Sequence, residues 1–242
     1  QSADTHPINF HFLWHDIQHG LFHVDKGILF TCKELVTRPG KSIAEFLDGK
    51  RVKHFKPFSM VIVLGTIFGI LYHYFHINML METEAGLQVT SQGGKPTVET
   101  LKGPTLEEAM KTLNEWLSTH YSWATLMLLP FYALSTRLAF FKSGYNYVQH
   151  LVINAFISAQ GLLIHIVAFP LMYIYNGTKS MVTLVLLLDL FCFAFRAWAY
   201  WDLFSGYSKL KRILFSVLSY IYFTLMLILL TTIVSLVYLF FV

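Results

Sequence analysis

The sequence predicts an all-α polytopic membrane protein, with five transmembrane helices preceded by cytoplasmic amphipathic helices at a membrane interface. Three observations carry that expectation. Only 13% of the 242 residues are charged, against about 25% in a typical soluble domain, while 55% are hydrophobic and 17% aromatic. Apolar residues fall in runs of about 20, the length a helix needs to cross a hydrocarbon core of ~30 Å. Lysine and arginine are segregated into the connections between those runs. A disordered chain, a nucleic-acid-binding module and an ordinary soluble enzyme are thereby excluded.

The first 57 residues contain no span. Phe10, Trp14, Ile17 and Leu21 recur at helical spacing, a second helix is expected from about Asp25 to Thr37, and Arg38-Pro39-Gly40 breaks it before a short helix at Ser42–Leu47. Helices with aromatic and basic faces of this kind lie in the cytoplasmic interface. The cluster Lys50, Arg51, Lys53 and Lys56 is then expected at anionic headgroups. The chain divides accordingly into an amphipathic segment, 1–57, and a transmembrane domain, 58–242.

The five expected spans are Phe58–Asn78, Tyr121–Phe141, His150–Tyr175, Met181–Phe204 and Ile213–Phe241. The last exceeds a straight crossing, so it tilts or extends beyond the bilayer. Of the 18 Lys and Arg residues, 13 fall on the side of the N-terminus and four on the other, with Arg196 inside the fourth span. The excess of positive charge faces the cytoplasm. That places the N-terminus inside and Val242 outside. The long outer loop, about 80–120, carries six Glu against three Lys. Gly93-Gly94 marks a turn in it, and Thr105 with Glu108 forms a capping pair that starts a helix leading into the second span.

Intramembrane polar residues are the first candidate sites, because an ionisable group there costs several kcal/mol and normally pairs inside the protein. Asp189 lies about eight residues from the outer end of its span and His165 about ten from the outer end of the preceding one. The connection between the two spans is short, so a buried His165–Asp189 pair is expected. It reads either as a proton relay or substrate-binding pair, or as a contact that specifies helix packing. Arg196 either binds a lipid phosphate or snorkels to the interface among Trp198, Tyr200 and Trp201. Gly65 and Gly69 form a small-xxx-small motif for close helix packing, and Pro130 and Pro170 interrupt their spans.

His11, His15, His19 and His23 recur every fourth residue, which places neighbours on one helix face. Such pairs can hold zinc or copper; the plainer reading is the polar face of an interfacial helix. His73 and His76, one turn apart, bracket a haem with His165 only across a depth difference of roughly 6 Å. Cys32 and Cys192 are isolated and form no zinc pair or disulfide framework. The first residues lack the basic and apolar regions of a signal peptide. No P-loop, GxSxG, HExxH or dinucleotide fingerprint is present.

Four strings carry a family resemblance: His19-Gly-Leu-Phe-His-Val-Asp-Lys-Gly27, Thr31-Cys-Lys-Glu-Leu-Val-Thr-Arg-Pro-Gly40, Gly49-Lys-Arg-Val-Lys-His-Phe-Lys-Pro-Phe58 and Asn146-Tyr-Val-Gln-His-Leu-Val-Ile-Asn154. Together they resemble the bacterial membrane family of unknown function DUF3667, abundant in Bacteroidota. The likeness covers about residues 8–160. At Gln149 this chain departs from the Glu that usually precedes the His. The resemblance implies an N-terminal zinc ribbon ending in Cys-Gly-Gln, with Gln1 just after it and the zinc thiolates upstream. It also implies the inner membrane of a bacterium, with Val242 on the periplasmic side.

The expected role is a non-enzymatic subunit or scaffold of a larger membrane assembly. A lipid or small-solute carrier built on the buried polar residues is the alternative. No cofactor is expected within the chain itself. The expected partners are membrane lipids and a second membrane protein or copy, with no nucleic acid.

Overall fold

The computed structural model describes residues 27–77 and 120–241, with side chains through Thr232. These residues form seven helices: α1 (Gly27–Thr37), α2 (Pro39–Leu47), α3 (Pro57–Tyr74), α4 (Tyr121–Ala139), α5 (Tyr147–Ile174), α6 (Ser180–Leu203) and α7 (Lys209–Phe241). No strand occurs among the described residues. Helices α3, α5, α6 and the Lys209–Thr232 part of α7 are long and apolar enough to cross a membrane. Those are the proportions of a membrane protein. The second expected span, α4, is helical but is not among those four. Tyr121, Ser122, Pro130, Tyr132 and Arg137 dilute its apolar content. The expected helix at Phe10–Leu21, the turn at Gly93-Gly94 and the capped helix at Thr105 lie outside the described residues.

Local chemistry sets the helix boundaries. Pro39 ends α1 because a proline disfavours helical dihedrals in the residue before it, and Arg38 accordingly leaves the helical region at φ −151°, ψ 60°. The same proline opens α2 at its first turn, where a missing N–H costs nothing. Pro57 does the same for α3. Asn146 caps α5: its side chain accepts from the Gln149 N–H at 2.8 Å, while Gln149 Oε1 accepts from the Asn146 N–H at 2.8 Å. A capping box accepts Glu or Gln equally at that position, which is a physical account of the departure at Gln149. Gly177, at φ +71°, supplies the left-handed residue of the short α5–α6 connection.

The helix α5 is central. It touches α1, α2, α3, α4 and α6, while α7 packs on α4 and α6. Of the most apolar stretch of each span, 61% is buried in α5 and 56% in α3, but only 6% in α6 and 17% in α7. Helices α3, α4 and α5 thus form the packed centre, and α6 and α7 present most of their apolar surface outward. Gly65 permits the close approach of α3 to α4, since a Cβ there would lie 2.8 Å from Ser122 Oγ. The small-residue motif is therefore used within the bundle.

Helices α1 and α2 are built into the same core. Leu35, Ile43, Phe46, Leu47 and Phe55 join one cluster with Phe68, Phe156 and Tyr200. The Phe46 ring meets Phe156 edge-on at 5.0 Å. The Phe55 N–H donates to Thr31 Oγ1 at 2.7 Å, tying the strap before α3 to α1. The apolar face of α2, expected on a membrane surface, is turned onto α5 and α6. Residues 27–57 and the bundle consequently share a core across the boundary that the sequence suggests at 57.

Gly40 sits where α2 crosses the end of α6, and a Cβ there would lie 2.5 Å from the Ala199 carbonyl oxygen. Gly40→Ala is expected to destabilise the folded chain by about 1–3 kcal/mol, the usual cost of overpacking. Thermal unfolding in detergent measures this, with Gly206→Ala, in open space, as the neutral control.

Candidate functional site

Two polar clusters lie inside the bundle, and their geometry separates them. The first joins α5 and α6. His165 Nε2 is 4.0 Å from Asp189 Oδ1. On the other side of the ring, Nδ1 donates to the Gly161 carbonyl at 2.9 Å, and Cys192 Sγ lies 3.9 Å from it. A carbonyl only accepts, so the ring proton of neutral His165 sits on Nδ1 and Nε2 faces the carboxyl group. The two groups attract across that gap only when a proton is held on Nε2 or on Asp189. Phe68 of α3 closes the site with an edge-to-face ring contact at 5.8 Å. His165 is 13% exposed, but Asp189 is 65% exposed. The expected pair is therefore brought together but not enclosed, because Asp189 points off the outward face of α6.

The second cluster is closed. Thr136 of α4, His150 and Asn154 of α5, and Tyr200 of α6 are all buried. Thr136 Oγ1 lies 3.0 Å from the carbonyls of Tyr132 and Ala133 and donates into that turn. It accepts in return from Asn154 Nδ2 at 2.9 Å and from His150 Nδ1 at 3.1 Å. Asn154 Nδ2 also donates to the His150 carbonyl at 2.8 Å, and Asn154 Oδ1 accepts from Tyr200 OH at 3.2 Å. The proton of His150 is thus on Nδ1, and Nε2 accepts from Ser143 Oγ at 3.5 Å. Each buried donor has a partner, as an apolar interior demands. Sequence reading did not single out this cluster, although His150 and Asn154 on successive turns of one apolar helix are a signal for it.

Arg196 lies between the two. Its guanidinium carbon is 4.8 Å from the centre of the Tyr132 ring, which stacks on Phe223 at 3.7 Å. The charge is therefore held over an aromatic face of α4 that is backed by Phe223 of α7, and Nε is buried without a hydrogen-bond partner.

Near the start of α3, Lys50 and Lys53 are exposed. Arg51 donates from Nε to the Phe46 carbonyl at 3.2 Å and lies over the Phe46 ring. Lys56 is half-buried. His54 donates from Nδ1 to the Lys50 carbonyl and accepts at Nε2 from Ser42 Oγ, both at 3.0 Å. Arg38 bridges the α1–α2 break by pairing with Glu34 and with Glu45, the latter at 2.9 Å. Hydrogen bonds to those two carboxylates raise its already high pKa. Burial pushes the Cys32 thiol up from its ordinary value, so it reacts slowly at neutral pH.

The four histidines His11, His15, His19 and His23 lie outside the described residues. Among the described residues, no group of three or more His, Cys, Asp or Glu side chains is placed to hold a metal ion. His73 and His76 have ring centres 6.4 Å apart.

Residues 25–69 match the model of a protein family described as "Protein of unknown function (DUF3667)". The matched segment contains α1, α2, the strap between α2 and α3, and α3 as far as Gly69. Over those residues the resemblance read from the sequence is shown. Comparison with curated proteins found no match, and comparison with solved structures found none.

Two measurements separate the clusters. Asn154→Leu removes the acceptor of the Tyr200 hydroxyl and a donor to Thr136 Oγ1, and is expected to lower unfolding stability by about 1–3 kcal/mol. A double-mutant cycle of His165→Ala and Asp189→Ala is expected to show a coupling of at least about 0.5 kcal/mol. Additive effects would mean that the two side chains do not interact.

Proposed function

We propose that the chain is a non-enzymatic subunit of a larger membrane assembly, docked through the outward face of α6 that carries Asp189. The observation behind this reading is the exposure of that carboxyl group. Asp189 is nine residues into a 24-residue apolar helix, about 13.5 Å along its axis at 1.5 Å per residue. Leu186, Leu187, Leu190 and Phe191 around it are each at least half exposed. A charged side chain at such a depth costs about 2.5–3.5 kcal/mol even on the mildest scale. His165 approaches one edge of the carboxyl group only. A neighbouring transmembrane helix that brings a hydrogen-bond donor to the other edge removes the cost.

In this reading all five bundle helices span the bacterial inner membrane, α4 included. The N-terminus lies in the cytoplasm, and residues 80–120 project outward. The DUF3667 match assigns no reaction, and four helices long and apolar enough to cross a membrane support the membrane part of the reading. A carrier of lipids or small solutes is the second reading. It is favoured by the same pair, because an imidazole and a carboxyl group lie 4.0 Å apart on neighbouring apolar helices.

Native mass spectrometry of the complex, gently extracted from its host membrane, tests the docking. A defined polypeptide mass retained by wild type and lost in Asp189→Leu, with the variant chain still folded, is the expected result. A bare wild-type chain, or a partner indifferent to Asp189→Leu, would overturn it. Orientation is read separately by cysteine labelling in a Cys32→Ser, Cys192→Ser background. Lys53→Cys is expected to label from the cytoplasmic side and Glu99→Cys from the outer side.

A further inference from the structure

The outer surfaces of α6 and α7 do not simply diverge. Between them runs an open groove of about 350 Å³, lined by Phe193, Trp198 and Trp201 of α6 and by Arg212, Ile213 and Val217 of α7. From Trp201 to Phe193 it follows α6 for eight residues, about 12 Å at the helical rise. Its walls are almost wholly apolar, and Arg212 lines it at the end nearest the α6–α7 turn.

That end is built around Arg212. Nε donates to the Tyr207 carbonyl at 2.8 Å, Nη1 to Trp201 at 3.1 Å and Nη2 to Ser205 at 2.7 Å. The guanidinium also lies 5.1 Å over the Trp201 ring. Three of its five N–H donors hold the turn, and its side chain lines that end of the groove. Lys209 and Lys211 are exposed beside it, and the first turn of α7 contains no acidic residue. Asp202, the acidic residue closest in sequence, is turned to α2, where its Cβ is against Gly40.

We propose that this groove binds one anionic phospholipid. An acyl chain lies along the groove between α6 and α7, and the phosphate meets Arg212, Lys209 and Lys211. The shape of the groove excludes a compact polar ligand, because its only concentrated charge is at one end and the remainder is hydrocarbon-like. Three cations without an opposing acid favour a headgroup of net negative charge over a zwitterionic one. Tryptophans at the same level suit the boundary between headgroups and chains. Asp189 lies one helical turn beyond Phe193, past the far end of the groove.

The full chain in detergent, titrated with dioleoyl phosphatidylglycerol or dioleoyl phosphatidylcholine and read by native mass spectrometry, tests the proposal. Wild type is expected to retain the glycerol lipid at least fivefold better. Lys209→Gln with Lys211→Gln should bring it close to the choline lipid, at about fivefold per lysine. Ala197→Phe fills the groove and should reduce retention of both lipids. Val217→Phe fills it from the other helix and is read in its place if Ala197→Phe does not fold. Both fillers should leave any partner bound at Asp189 in place. Equal retention of the two lipids by wild type, or retention unchanged by a folded filler, overturns the proposal. So does displacement of the lipid by millimolar inorganic phosphate, because that would mean a headgroup site without a chain.

Discussion

A backbone carbonyl at the end of α1 seats the first described helices on the bundle. Leu35 is fully buried and lies in the last turn of its helix, where carbonyl groups have no partner within the helix. Gln160, from the middle of α5, donates from Nε2 to that carbonyl at 2.5 Å, a contact between residues 125 apart in the chain. Each side of the bond is costly without the other. An amide in the middle of an apolar span and a helix end in an apolar core both lack water to satisfy them. Their mutual satisfaction seats α1 on α5. Arg38 and its two glutamates then carry the chain across the proline into α2, which covers the end of α6. The segment that matches the family model is thus part of the bundle's interior.

The same rule sorts the other polar groups. Thr136, His150, Asn154 and Tyr200 exchange hydrogen bonds among three helices, with donors and acceptors balanced. Such a network rigidifies a core and specifies its register. Asp189 has no comparable enclosure. It has one imidazole edge at 4.0 Å and is otherwise open on an apolar surface. Four residues in a closed cluster are explained by the fold itself, whereas the open carboxylate is what the proposed docking accounts for.

Much of this was legible in the sequence for a simple reason. Apolar runs of spanning length become helices in almost any context, and Asn, Pro and Gly mark where they begin and end. The proximity of His165 to Asp189 is legible too, because five residues from Asn176 to Ser180 force α5 and α6 to run side by side. The seat of α1 was not legible. Gln160 reads as one polar residue in an apolar run, and its partner is a backbone carbonyl that carries no sequence signal. Nor was the placement of α2, since an amphipathic helix presents the same periodicity to a bilayer surface as to a helical core. The open side of Asp189 depends on the rotation of α6, and its nearly uniform hydrophobicity leaves that rotation unspecified. The α6–α7 groove follows from how two such helices separate, which periodicity does not encode.

The helix whose most apolar stretch is least buried carries Asp189 and Arg196, and this asymmetry is physically informative. A charge in a central helix is either satisfied by neighbours or lost to selection against an unfolded bundle. A charge in a peripheral helix that buries only 6% of its most apolar stretch escapes that discipline, and its cost falls on the exposed state instead. Arg196 avoids the cost by lying over Tyr132. Asp189, about two turns away on the same helix, does not. The C-terminal end of α6 is occupied by α2 and by Arg212, so in the proposed assembly the N-terminal half around Asp189 is the surface where a neighbour would relieve an energetic penalty. Burial of further leucines alone gives little between membrane helices, since lipid chains are equally apolar. A hydrogen bond to an otherwise stranded carboxylate supplies the specificity that such a contact lacks.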